Sequence, residues 1–210
     1  MHIFDISPLI QSGTPVFPGD QAYERRVALD FARGDHLTLS SVLTTLHIGA
    51  HADAPSHYHP QGQSIEARDL HAYLGPCQVV DVSHVGARRI ETSDFDLSRL
   101  TTPRVLFQTR SFRHQEPFAP AFTSLSPELI AALKERGVCL VGLDTPSVDP
   151  ADSKALESHQ ALYRGDFAVL EGLDLDAVQP GSYTLIALPL RLQGADASPV
   201  RAVLVRGSLV

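Results

Sequence analysis

Residues 46 to 59 read Leu46-His47-Ile48-Gly49-Ala50-His51-Ala52-Asp53-Ala54-Pro55-Ser56-His57-Tyr58-His59. Four of the chain's ten histidines and one aspartate fall here, separated almost entirely by small or apolar residues. Imidazole nitrogen and carboxylate oxygen are the usual protein ligands of zinc and related divalent cations. The four-residue step from His47 to His51 would put both on one helix face, but Gly49 between them and Pro55 just beyond make a poor helix. In extended chain alternate residues point the same way, so His47, His51, Asp53 and His57 share one side. Gly49 falls on that side as well and, having no side chain, leaves room for an ion between its neighbours. The expectation is three ligands and a spare imidazole on one surface. Its competitor is a histidine-rich surface loop without metal.

Upstream, residues 37–46 are rich in Leu, Thr and Val and read as a strand running directly into this stretch, so that a rigid element would hold the site. Residues 2–6 and 22–30 read as further strands. Between them, Gly13-Thr14-Pro15-Val16-Phe17-Pro18-Gly19-Asp20 is an irregular loop fixed by its prolines and glycines. Phe17 either caps the core from this loop or forms an aromatic wall of a pocket.

Downstream, residues 65–73 read as a short helix, and 77–82 and 104–109 as buried strands. Ser126 to Arg136 is the clearest helix, with Ser126 as N-cap, Pro127 in the first turn and Gly137 as stop. A strand over 138–143, a polar loop over 144–150, a helix over 153–164 carrying His159, and a strand over 167–171 follow. This alternation predicts a βαβ arrangement, with Glu171 on a sheet edge where α/β sites gather. A carboxylate ending an apolar strand is costly to bury unless a cation meets it. Asp144 is a candidate polar group near the site or a loop cap, whereas His71, His84 and His114 read as structural or solvent-facing. Strands over 183–188 and 200–205 complete the chain.

The 210 residues fit one domain, 1–210, with no repeat or low-complexity linker. A formal net charge of -7 and the absence of any basic run argue against nucleic acid or an anionic membrane surface as partner. Cys77 and Cys139 each sit in an apolar run and read as small buried hydrophobes, as in a reducing compartment. No secretory signal and no membrane-spanning stretch are visible, so a cytoplasmic protein is expected.

His47-x-Gly49-x-His51-x-Asp53-Ala54-Pro55-x-His57 resembles the signature of the cyclase-like family of metal-dependent hydrolases. Further stretches are similar to one branch, the bacterial kynurenine formamidases (arylformamidases). They are Pro15 to Asp20, Gly142 to Asp149, His159 with Glu171, and Leu188 to Arg201. The resemblance implies a single-domain α/β protein of the β/β/α type, with a mixed, strand-rich core, few helices and a homodimeric assembly. It also implies a site for two ions, usually zinc. His47, His51 and Asp53 would hold one ion, and Asp53, His159 and Glu171 the second, with His57 as acid/base rather than ligand. Phe17 falls where this branch typically has Trp, which keeps an aromatic wall for substrate but drops the indole N–H. Position 50 is Ala where wider relatives often have Thr.

The implied reaction is hydrolysis of N-formyl-L-kynurenine to L-kynurenine and formate, a step of tryptophan degradation. His/Asp/Glu sets also accept manganese or cobalt. Two other readings stand beside it: a related amide or lactam hydrolase, such as an isatin-type ring-opening enzyme, and a non-enzymatic metal-binding protein. A free His57 beside a full ligand set argues against the last, because storage needs no acid/base.

Overall fold

The computed structural model describes residues 1–207. In chain order the strands are β1 (His2–Asp5), β2 (Glu24–Leu29), β3 (Leu39–Leu43), β4 (His51–Asp53), β5 (Leu74–Asp81), β6 (Arg89–Ile90), β7 (Arg104–Gln108) and β8 (Ser124–Leu125). Helix α1 (Pro127–Glu135), β9 (Leu140–Leu143), α2 (Glu157–Gly165), β10 (Ala168–Glu171), β11 (Gly181–Ile186), β12 (Ala197–Pro199) and β13 (Val203–Arg206) follow.

Nine strands form one mixed sheet in the order β1-β13-β11-β5-β7-β9-β10-β4-β12. Its centre, β5-β7-β9-β10, is parallel, as strand-helix alternation demands, and both flanks are antiparallel. Period-two alternation divides the core between the two faces. Val105, Phe107, Val141, Leu143 and Val169 point towards Leu129, Ile130 and Leu133 of α1 and Leu162 of α2. Leu106, Leu140, Ala168 and Leu170 point the other way, onto Ile6, Ile65, Tyr73 and Leu204. This is the mixed, strand-rich, helix-poor architecture expected, with two α-helices among the described residues. None of their helices is long and apolar enough to cross a membrane.

Helix α1 forms where its signals put it. Ser126 Oγ accepts from Leu129 N at 3.1 Å, Pro127 opens the first turn, and Gly137 follows the end at φ 75°. Four expectations fail. The strand expected over 37–46 is only Leu39–Leu43, and it pairs with β2 in a separate two-stranded ribbon. Bends, not a strand, lead into His51. Residues 65–73 form two short 3-10 turns, Ile65–Ala67 and Leu70–Tyr73, rather than one helix. Helix α2 begins only at Glu157, because Leu156 holds a left-handed backbone at φ 49°. Strand β10 is also interior to the sheet, between β9 and β4, so Glu171 ends a central strand and not an edge one.

Candidate metal centre

Strand β4 is three residues long and wholly buried. Its alternation sends Ala52 into one core layer and His51 and Asp53 to the opposite, α2-bearing face. β10 pairs with β4 so that Glu171 stands opposite His51, and Val169 opposite Asp53. Helix α2 packs over the face to which Val169 points and brings His159, 2% exposed, to the same place. Register and helix packing thus join residues more than a hundred positions apart.

Three overlapping groups of three converge there: His47, His51 and Asp53; Asp53, His159 and Glu171; and His47, His57 and Asp196. His51 Nε2 lies 3.5 Å from Asp53 Oδ1 and 3.4 Å from Glu171 Oε2. His159 Nε2 lies 3.5 Å from Asp53 Oδ2 and 3.5 Å from Glu171 Oε1. None of these is a hydrogen bond: His51 Nε2, His159 Nε2 and both Asp53 oxygens are buried without a hydrogen-bond partner. Even His47 Nδ1, 2.9 Å from Asp53 Oδ1, leaves that oxygen unsatisfied. Ligand atoms about 2.0–2.1 Å from a tetrahedral ion stand roughly 3.3–3.4 Å apart. The spacing and the orphaned lone pairs fit divalent cations, and a buried polar cluster left otherwise unpaired would be strongly destabilising.

The outer nitrogen of each imidazole is held. His51 Nδ1 bonds the Gly49 carbonyl at 2.9 Å, His159 Nδ1 bonds Asp149 Oδ2 at 2.8 Å, and His47 Nε2 bonds Asp196 Oδ2 at 3.0 Å. Oxygen acceptors there fix an N–H on the outside and turn the lone pair inward, the arrangement metal-binding histidines use. Gly49 is therefore not a vacant space beside an ion. It turns at φ 57°, packs on Ile10 and uses its carbonyl to orient His51.

The extended picture of residues 47–57 holds only for His51 to Asp53. His47 enters from a bend, and His57 sits in a single 3-10 turn, Pro55–His57. The His57 ring nevertheless lies against His47, centroids 4.1 Å apart, and is the least buried of the clustered histidines, its side chain 35% exposed. Its Nδ1 is 3.6 Å from Asp196 Oδ2. His59 points away and stacks on Tyr163, centroids 3.7 Å apart, which leaves it outside the centre.

Charge balance is visible in the proton affinities. Burial works against a charged His47, but Asp53, with Asp196 and Glu171, outweighs it and lifts the imidazole to about 10. Burial likewise opposes ionisation of Asp53, yet His47, His159 and His51 hold its carboxyl well below the usual range. His57 goes the other way. Burial lowers it, the neighbouring His47 and His159 add to that, and Asp53 and Glu171 only partly compensate. These surroundings favour the neutral His57 ring.

A cavity of about 370 Å³ opens onto the cluster. Phe17, Phe112, Phe118 and Pro146 line it, with His47, His57 and His159 at its inner end. Phe17 packs on Phe118 at a centroid distance of 4.8 Å, so it is pocket wall rather than core cap. His114 also lines the cavity, its Nε2 on the Leu173 carbonyl at 2.9 Å, where the sequence reading had it structural or solvent-facing. Asp144 stays out of the site. Its carboxylate takes the Thr109 and Arg110 N–H groups at 2.8–3.0 Å and so braces Arg110 at φ 56°.

Asp149, Asp196, Gly172 and Phe118 escaped assignment from sequence. Asp149 and Asp196 lie in stretches whose resemblance was noted, but a lone aspartate in a loop carries no signal of which imidazole it will meet.

A family model described as "Putative cyclase" matches residues 4–150. Kynurenine formamidases of Bordetella petrii and Sphingopyxis alaskensis are 43% and 42% identical, each over 97% of this chain and 97% of its own length. That of Delftia acidovorans is 44% identical over 97% of both. Among solved structures, a potential metal-dependent hydrolase with cyclase activity superposes with a TM-score of 0.84 at 28% identity, covering 99% of both chains. Isatin hydrolase A from Labrenzia aggregata shares the fold, with a TM-score of 0.80 at 21% identity over 98% of this chain and 94% of its own. The chain belongs to the cyclase family, within the group that contains the kynurenine formamidases.

Proposed function

We propose that the chain, as one domain over residues 1–210, hydrolyses N-formyl-L-kynurenine to L-kynurenine and formate in tryptophan degradation. One observation carries the reading: the inward-facing, unpartnered His51 Nε2, His159 Nε2 and Asp53 oxygens at the end of an aryl-sized aromatic cavity. Similarity to kynurenine formamidases over nearly the whole chain supports the choice of substrate.

In this reading His47, His51 and Asp53 would hold one zinc ion and Asp53, His159 and Glu171 a second. Manganese or cobalt would suit the same donors. Such ions supply a water acidic enough to attack an amide near neutral pH and charge to stabilise the oxyanion. The chain's own residues do the rest. Phe17, packed on Phe118, gives the aryl ring an aromatic wall and leaves the formamide facing the histidines. His57, held neutral by its surroundings, takes a proton from the attacking water at a ring nitrogen and gives it to the departing amine nitrogen. Asp196, close to both His47 and His57, orients the two rings together.

A cytoplasmic homodimer is part of the proposal. Leu39, Val42 and Leu43 on the β2–β3 ribbon are exposed apolar side chains suited to an interface.

The test is His57→Ala. It should bind zinc as the parent does and lose about 10²–10⁴-fold in kcat, the range that positioned acid/base groups supply. Turnover at the parental rate would remove His57 from its role. Faster opening of isatin than of formylkynurenine by the parent would favour the lactam-hydrolase reading, and no hydrolysis of any aryl formamide would favour plain metal binding.

A further inference from the structure

Asp149 is completely buried and its carboxylate is saturated. Oδ2 accepts from His159 N at 3.0 Å and from His159 Nδ1 at 2.8 Å, while Oδ1 accepts from Ser158 N at 3.0 Å. Arg89 Nη2, from β6, lies 3.0 Å from Oδ1. Arg89 is itself pinned, since Nη1 donates to the Leu125 carbonyl at 2.7 Å and to Ser158 Oγ. Asp149 therefore caps α2 from seven residues ahead of Leu156, in place of the side-chain cap that Leu156 cannot give. One carboxylate fixes the first turn of the helix and the ring of the histidine that this turn carries.

The three imidazoles are not held alike. Only a backbone carbonyl holds His51, and Asp196 on the cavity wall holds His47. His159 alone has a fully buried carboxylate backed by a guanidinium. A carboxylate partner makes the imidazole a stronger donor to a cation, and its fixation keeps Nε2 aimed between Asp53 and Glu171.

We infer that Arg89 and Asp149 are positioning residues that set the metal affinity of the Asp53–His159–Glu171 group and leave the His47–His51–Asp53 group little changed. This rests on the two-cation reading above. Asparagine at 149 offers one acceptor oxygen where two are needed, and its NH2 must face either Arg89 or an N–H of α2. Methionine at 89 removes the guanidinium and keeps much of the stem's packing.

The experiment is competition of zinc-loaded parent, Asp149→Asn and Arg89→Met against a chromophoric chelator, with visible absorption of the cobalt-substituted proteins alongside. In Asp149→Asn one of two ions should weaken about 10–100-fold, the usual cost of losing such a partner. The other ion should hold and one cobalt spectrum should change, while the metal-free variant melts lower than the metal-free parent because α2 loses part of its cap. Arg89→Met should weaken the same ion to a smaller degree. Equal weakening of both ions would mean general loosening of α2 and would overturn the inference, as would unchanged affinity in both variants. A parent that binds a single ion would refute the two-cation reading, and the relay would then stand or fall on whether Asp149→Asn weakens that ion.

Discussion

Gly172 turns the chain immediately after Glu171, at φ 64°, so close to Gly49 that a β-carbon on it would collide with the Gly49 carbonyl oxygen. That carbonyl holds His51 Nδ1 at 2.9 Å. The contact thus ties the end of β10, which presents Glu171, to the bend that orients the histidine opposite it. The Gly172 N–H is also used, donating to the Thr145 carbonyl at 2.8 Å.

A methyl group at position 172 would overlap the Gly49 carbonyl in a backbone conformation that L side chains rarely adopt. Gly172→Ala should therefore lose about 1–3 kcal/mol of stability, the scale of such backbone conflicts. It should also bind zinc more weakly, because His51 turns with the displaced carbonyl. Thermal melts of the zinc-loaded and metal-free proteins measure both. Parental values in both forms would show that the close approach is not needed.

Removing the metal should act on stability as well as on turnover. Buried His51 Nε2, His159 Nε2 and the Asp53 oxygens then lack a hydrogen-bond partner, with His47, Glu171 and one another 2.9–3.5 Å away. Binding to the folded state alone stabilises it by about 2.7 kcal/mol at a hundredfold excess over Kd. Dialysis against a chelator should abolish formylkynurenine hydrolysis and lower the melting temperature by several degrees, and zinc should restore both. Full activity in protein shown by elemental analysis to be metal-free would sink the metal assignment.

Much of this site was legible in the sequence because ligand chemistry is carried by residue type. His47, His51 and Asp53 stood out by density and spacing, and Glu171 as a carboxylate that no apolar strand should end on without a cation. The helix over 126–136 was legible too, because its cap, proline and glycine are local signals. What stayed hidden depends on distant partners. Helix α2 takes its cap from Asp149, and no window centred on residue 153 contains the reason it begins at Glu157. The strand expected over 37–46 has the right composition, but its partner is β2 and not the main sheet, so propensity could not say where it ends. Gly49 was read for its missing side chain, whereas its carbonyl is what matters.

The cavity also predicts which substrates turn over well. Asp20 and Asp196 line it beside the histidines, and among the described residues no lysine or arginine does. Formylkynurenine carries a zwitterionic tail whose ammonium could reach Asp20, whereas N-formylanthranilate is a net anion whose carboxylate would enter beside Asp20 and Asp196. N-formylanthranilate should accordingly show a kcat/KM at least about tenfold below that of formylkynurenine, a difference near 1.4 kcal/mol. Raising the salt should narrow the gap, because mouth charges are screened. Asp20→Asn should narrow it as well. Equal kcat/KM for the two substrates would rule out selection by charge.

Cys77 gives a stability prediction with a defined pH window. Its thiol is fully buried in β5, and burial, only partly offset by nearby Arg104, pushes it up to about 12 from an ordinary 9.0. A raised folded-state pKa means that both states keep the proton below pH 9.0, so the stability is fully present there. Above that, the unfolded chain ionises while the folded one does not, and stability falls until the folded thiol ionises near 12. At pH 10.5 the loss from this one group is about 2 kcal/mol. Cys77→Ala removes it. Denaturant unfolding of parent and variant at pH 8 and pH 10.5 should show the parent losing about 2 kcal/mol more than the variant between the two pH values. Native protein should also leave Cys77 unalkylated at pH 8 until it unfolds. Equal losses in parent and variant, or rapid labelling of Cys77 in the folded protein, would show that the thiol is not held neutral by burial.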